Sequence, residues 1–302
     1  MAAKKIDIIC AGEILADLIG GTKKKEYRLF TGGSPANLAN NLAYLGNKVA
    51  LVGTVGKDEI GDFLMKNIKK SGLNANFIKR VSKPSSLILV NQSKGTPNFE
   101  AYRSADKVIS RAQIDRSALK KSKLFHTSCF ALSLEPARST LLECSEIAKE
   151  AGVQLSIDLN YADKLWKKPK KAKKIVEEYI SKGALLKISD VDYQRLYKKE
   201  VKSPEKILDL FLGMGAKQVC LTLGDKGVWT ANAENETFLP ARELKVVDTT
   251  GAGDAFWSGY LTAWLGGESI VNCAKAGRAV AEYKLTRMGS IDKKIDLEKL
   301  LQ

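Results

Sequence analysis

Leu124-Phe125-His126-Thr127, Val153-Gln154-Leu155-Ser156-Ile157, Ala184-Leu185-Leu186-Lys187-Ile188 and Gln218-Val219-Cys220-Leu221-Thr222-Leu223 are the runs on which the fold turns. Each is short and nearly continuously apolar, the pattern of a strand buried on both faces of a parallel sheet. Between them lie Glu135–Ala151, Lys170–Ser181 and Pro204–Met214, which read as helices. Strand, helix and strand in repetition is a βαβ rhythm. The expected class is therefore α/β, a mostly parallel central sheet with helices on both faces.

Toward the N-terminus, Ile6 to Cys10 and Val49 to Val52 read as two further buried strands. Ser85 to Val90 and Phe99 to Arg103 alternate instead like half-exposed strands, with a turn at Lys94-Gly95. With the residues after Glu13 they suggest a small separate sheet, at about 13–31 and 85–104. Such a sheet could serve as a lid over a cleft, with Arg103 on its inner side. The whole chain, 1–302, then reads as one domain carrying that lid.

Polar residues gather where the strands end: Asp17, then Asp158-Leu159-Asn160, Ser189-Asp190-Val191-Asp192, and Thr222 through Gly224 to Gly227. Ligands of open α/β sheets bind outside strand ends, so these clusters outline one crevice. Thr31-Gly32-Gly33-Ser34-Pro35-Ala36-Asn37 opens a helix, with Ser34 as a candidate cap and Pro35 at the first position. Gly32 and Gly33 leave bare backbone there, and Asn37 offers a donor and an acceptor, a fitting reader of sugar hydroxyls.

Asp248-Thr249-Thr250-Gly251-Ala252-Gly253-Asp254-Ala255-Phe256 completes the crevice. The run Leu244 to Val247 is expected to end as a strand, and a helix follows from Phe256. A glycine turn opening a helix binds anions, because its first N–H groups are unpaired and its dipole is positive. Asp254 has two readings. It is an ordinary acid in a first turn, or a general base that takes a proton from a hydroxyl during phosphoryl transfer.

Composition narrows the classes. At 44% hydrophobic and 27% charged residues, the chain has the make-up of a soluble globular protein. Five scattered cysteines without a CxxC pair argue for reduced thiols, against a disulfide framework or a zinc site, and the expected location is cytoplasmic. The start of the chain carries neither a signal-peptide nor a membrane-span pattern, so no membrane partner is expected. The net charge of +15 comes from lysine runs far apart in sequence without interleaved aromatics, and they read as solvated faces rather than a nucleic-acid surface. GxxxxGK[ST] is absent, and Phe256 stands where GxGxxG needs its third glycine. His126, the single histidine, lies in a strand and reads as structural.

Taken together, Gly32-Gly33-Ser34-Pro35-Ala36-Asn37-Leu38-Ala39, with Val55-Gly56-Lys57-Asp58, and Asp248 to Phe256 resemble the two signatures of the ribokinase-like, or PfkB, carbohydrate kinases. The resemblance implies a three-layer α/β/α domain with a small β lid, homodimerisation through that lid, and ATP with Mg²⁺ as cofactor. It implies Asp254 as catalytic base and Gly251, Ala252 and Gly253 as the anion hole. Asp17, Gly32, Gly33, Asn37, Arg103 and Asp158 fall to the substrate, and Thr222, Gly224, Gly227 and Lys275 to ATP. Asp192 would meet Mg²⁺ through water, and Asp248 and Thr250 match a monovalent-cation site for K⁺. The Lys-x-Ser-Asp variant at Lys187 to Asp190 and the Asp158-x-Asn160 pair are similar to the fructokinase branch. Fructose is thus the first expected substrate, with 2-keto-3-deoxygluconate or a nucleoside as alternatives. A catalytically dead kinase fold that binds nucleic acid through its basic surface is the rival from another class.

Overall fold

The computed structural model describes residues 6–20, 26–91 and 98–302. The turn expected at Lys94-Gly95 and the lysines at 23–25 lie outside these. Nine strands form the large sheet: β1 (Ile8–Ala11), β4 (Val49–Gly56), β5 (Ile78–Val81), β8 (Leu124–Ser128), β9 (Gln154–Asp158), β10 (Leu185–Ser189), β11 (Gln218–Thr222), β12 (Gly227–Asn232) and β13 (Glu236–Pro240). Their order is β13-β12-β11-β10-β9-β8-β1-β4-β5. All pairs are parallel except β11 with β12 and β12 with β13.

Alternate residues of these strands enter two different cores, which makes three layers. Ile9, Ala50, Phe125, Leu186 and Val219 pack with Leu141, Val176 and Phe211 of the helices Ala137–Glu150, Pro169–Ile180 and Pro204–Gly213. Ile8, Leu51, Leu124, Leu185 and Cys220 pack with Leu38, Leu64, Trp257 and Cys273 of the helices Ser34–Tyr44, Glu59–Lys70, Ala252–Leu265 and Ile270–Leu285. A strand covered on both faces needs apolar side chains at every position, hence the continuous runs. All five cysteines are free and buried. His126 is buried and paired through Nδ1 with Ser156 Oγ at 2.9 Å.

A second sheet of β2 (Leu15–Gly20), β3 (Tyr27–Gly32), β6 (Ser86–Asn91) and β7 (Asn98–Tyr102), in the order β3-β2-β6-β7, stands apart as expected. It meets the large layer near Gly33, where β3 runs into the Ser34–Tyr44 helix.

Two expectations are corrected. Leu244 to Val247 is not a strand: Val246 and Val247 are 51% and 48% exposed, and Val247 donates its N–H to Leu285 O (2.8 Å) rather than to a sheet. The anion turn is therefore fed by a loop pinned to a helix end. Nor does Ser34 cap its helix. Gly33 is the cap, at φ 98, and the Ser34 hydroxyl is used elsewhere.

Candidate active site

Gly251, at φ 75 in the left-handed region that glycine tolerates, caps the Ala252–Leu265 helix. Ala252 N–H donates to Thr249 O (3.2 Å), which leaves the Gly251 and Gly253 N–H groups without a backbone partner among the described residues. Gly253 has a second reason to be glycine. A Cβ there would lie 2.9 Å from the Lys187 ammonium. Lys187 comes from β10, on the face opposite Leu186 and Ile188, and is buried with Nζ 2.8 and 3.0 Å from the two oxygens of Asp158. A fixed positive charge thus lies beneath a helix N-terminus whose unpaired N–H groups suit an anion.

Asp254 is held from the neighbouring helix. Ser34 Oγ donates to its Oδ1 (2.7 Å) and Asn37 Nδ2 to its Oδ2 (2.9 Å), while Asn37 Oδ1 is buried with no partner. A buried acceptor without a donor is a place for a ligand hydroxyl. Burial first, then the Asp158 charge, pushes the Asp254 carboxyl up to about 6, against the lowering pull of Asn37, Lys187 and Ser34. A carboxyl with such a value suits general-base chemistry near neutral pH.

Asp17 lines the same cleft with Asn37, Asn40 and Gly251. A side chain at Gly32 would collide with Asp17, its Cβ only 2.3 Å from Oδ2, so Gly32 makes room for the acid. Burial, then the charge of Asp254, raises Asp17 to about 7. Beneath the cap lies Glu13, which the sequence reading left without a role. It is 1% exposed and accepts from Ser34 N–H (3.1 Å) and the Ser128 hydroxyl (2.7 Å).

The remaining expected residues are Arg103, Thr222, Gly224, Gly227, Lys275, Asp192, Asp248 and Thr250. Arg103 follows β7, its side chain 6% exposed; it holds Asp106 (2.5 and 2.8 Å), bonds Ser133 Oγ and lies over the Phe130 ring at 4.1 Å. Thr222, Gly224 and Gly227 line the turn from β11 to β12, and Lys275 is exposed on the Ile270–Leu285 helix. Asp192 caps its own helix, accepting through Oδ2 from the Ser189 hydroxyl (2.5 Å) and N–H (3.4 Å). Asp248 is bonded to the buried Lys284 (3.0 Å), and Thr250 N–H donates to Asp248 Oδ1 (2.9 Å). Sequence signals existed for Lys187, a lysine inside an apolar strand run, and for Glu13, an acid just past the first strand.

The unpartnered Asn37 Oδ1, the Asp254 carboxyl and the glycine turn at Gly251 lie side by side at the carboxyl edge of a parallel sheet. Fold and site define a phosphotransferase that delivers a phosphoryl group to an alcohol. The pfkB family carbohydrate kinase pattern matches residues 5–296, and the chain belongs to that family. It is 34% identical over 293 residues to an ATP-dependent 6-phosphofructokinase of Thermoanaerobacterium thermosaccharolyticum, covering 95% of this chain and 90% of the relative. A fructokinase-2 of Solanum lycopersicum is 32% identical over 275 residues, covering 87% of this chain and 83% of the relative. The fructokinase of Vibrio cholerae O395, solved with fructose, ADP and calcium, is 25% identical with a TM-score of 0.88, covering 99% of this chain and 100% of that one.

Proposed function

We propose that the chain transfers the γ-phosphoryl group of ATP to a primary hydroxyl of fructose. The observation that carries this reading is Asp254, raised toward neutrality and held by Ser34 and Asn37 within the first turn of an anion-binding helix. The sugar hydroxyls meet Asp17 and the open Oδ1 of Asn37, and the reacting hydroxyl takes the place at Asp254. Asp254 removes its proton as the bond to phosphorus forms, with ADP as leaving group. The Gly251 and Gly253 N–H groups and the Lys187 ammonium stabilise the charge on the moving phosphoryl group. Closure of the small sheet over the cleft excludes water, which would otherwise compete for ATP.

Mg²⁺ fits one place in this arrangement. Both protein bonds to Asp192 fall on Oδ2, which leaves Oδ1 for a ligand. No cluster of three or more His, Cys, Asp or Glu side chains suited to a metal occurs among the described residues. That suits an ion carried mainly by nucleotide phosphates and water and held by one carboxylate. When bound, it supplies positive charge to the β- and γ-phosphoryl oxygens.

Fructose 6-phosphate is a second reading, favoured by the 34% identical phosphofructokinase. Against it, the cation among the described residues lining the cleft is Lys284, and it is paired with Asp248. Arg103, the guanidinium expected to meet an acidic substrate such as a keto-acid sugar, is engaged by Asp106 instead. Tyr27 and Tyr102, 46% and 60% exposed on the edge strands β3 and β7, support pairing of two copies through the small sheet.

ADP release with Mg-ATP across fructose, fructose 6-phosphate, 2-keto-3-deoxygluconate and nucleosides tests the assignment. Fructose should give the highest kcat/KM. Asp254→Asn keeps the shape but removes the base, and its kcat should fall roughly 10²–10⁴-fold. Near-normal turnover in that variant sinks the mechanism.

A further inference from the structure

Lys284 lies in the last turn of the Ile270–Leu285 helix, its side chain 4% exposed, against the loop that leads to Gly251. Its ammonium donates to Asp248 Oδ2 (3.0 Å), Asp248 O (3.2 Å) and Arg287 O (3.4 Å). Three protons meet three oxygens. Asp248 is fixed further by Gly289 N–H on Oδ2 (3.0 Å) and by Thr250 N–H on Oδ1 (2.9 Å). Burial pushes the Asp248 carboxyl up, but the N–H of Thr250, the Lys284 ammonium and the N–H of Gly289 outweigh it and hold it below its ordinary value.

A carboxylate and two backbone carbonyls converging on one buried point are the donor set of a dehydrated monovalent cation. At this point the positive charge is already present and covalently tethered. A second cation among the same oxygens would face a like charge at contact distance in a poorly screened place. The residues therefore do not fit K⁺ in addition to Lys284. The location gives the charge a task. Asp248 stands just before Gly251, and through Thr250 N–H it sets the approach to the turn that binds the phosphoryl group.

Given the sugar-kinase reading above, we infer that the Lys284 ammonium takes the place of a bound monovalent cation beside the anion turn, so that phosphoryl transfer by this chain runs without K⁺. The test uses the full chain in KCl, NaCl and choline chloride at equal ionic strength. ADP release with fructose and Mg-ATP is measured in each, and so is thermal unfolding. The wild-type protein should show the same kcat/KM and the same Tm in all three salts. Activation by K⁺ of about 5-fold or more, the scale of a real effector coupling, overturns the inference. So does a rise in Tm specific to K⁺, the mark of a cation bound to the folded state. Lys284→Ala empties the place. In choline chloride it should lose about 5-fold or more in kcat/KM, and it should gain a K⁺-specific rise in Tm. A Lys284→Ala protein with the wild-type rate in choline chloride also overturns the inference. The wild-type salt series decides the matter even if that variant does not fold. If no salt supports ADP release, the kinase reading fails, and the wild-type Tm series still decides between ammonium and K⁺.

Discussion

Lys187 shows how much one side chain adds to the site. It is a buried cation flanked in its strand by the apolar Leu185, Leu186 and Ile188, and it faces Asp158, Asp254 and the first turn of the Ala252–Leu265 helix. Its positive charge lowers the pKa of Asp254, opposing burial and the Asp158 charge. Lys187→Met should therefore move the acid limb of kcat/KM upward in pH. In wild type that limb lies near the value of about 6 for Asp254. Asp17, raised to about 7 by burial and by Asp254, titrates in the same cluster, so the limb belongs to both acids. The same variant removes one charge from the anion site, and kcat should fall roughly 10²–10³-fold, as for the loss of one oxyanion donor. A kcat loss with an unmoved acid limb would show that Lys187 does not touch the titration of Asp254. Gly253→Ala probes the same approach from the other side, since its methyl would press on the Lys187 ammonium at 2.9 Å. A kcat loss with little change in the KM for sugar is expected from steady-state rates.

The elements tell a different story about Arg103. Its guanidinium, Asp106 and Ser86 join the end of β7 to β6, with Ser86 Oγ donating to Asp106 Oδ1 at 2.5 Å and Arg103 on Oδ2. Asp106 is 1% exposed. Removing one partner leaves a buried charge unpaired, so Asp106→Ala should cost about 3–5 kcal/mol of stability, read from urea unfolding. A loss below about 1 kcal/mol, the range of surface pairs, would refute a buried lock at the base of the small sheet. Strand runs with both faces covered were legible because burial on two sides leaves no polar position. The small sheet was legible by its alternation. The β12 and β13 pair was not, because Trp229 and Phe238 are only partly covered on an antiparallel edge that begins at a glycine turn. The run Leu244 to Val247 misled for the opposite reason, an apolar tetrapeptide with no strand beside it. At the site, the motif glycines, Asp254 and Asn37 could be read locally. The bond from Ser34 to Asp254 joins residues 220 positions apart, and no local pattern could separate it from an ordinary cap.

At the scale of the whole molecule, the site has a cost that pH should reveal. Its carboxyls are packed together out of water. Glu13 is raised from 4.5 to about 8 by burial, despite Ser128 and Arg103, with Asp106 adding to the rise, and Asp17 is raised from 3.8 to about 7. In an unfolded chain both would be ionised at neutral pH, whereas the folded protein retains their protons. Protons bound by the folded state alone stabilise it, and that stability is lost as pH rises through the folded values. His126 works in the opposite sense. Burial, with Lys187, lowers it from 6.5 to about 3, so below 6.5 the unfolded chain takes the proton and stability falls toward acid. Below pH 6.5 the two trends oppose each other, one histidine proton against the two carboxyl protons. Tm should be higher at pH 6.5 than at pH 8, and the unfolded histidine should offset part of the further gain toward acid below pH 6.5. The formal charge of +15 cannot produce this profile, because ordinary Lys, Arg, Asp and Glu do not titrate between those values. Glu13→Gln separates the contributions. The amide oxygen can accept from Ser34 N–H in place of Oε1 without holding a titratable proton, so the decline between pH 6.5 and 8 should flatten. Calorimetric scans of both proteins across this range provide the check. An unchanged alkaline slope in Glu13→Gln would mean that Glu13 is already ionised beneath the cap at neutral pH, and that Ser34, Ser128 and Arg103 outweigh its burial.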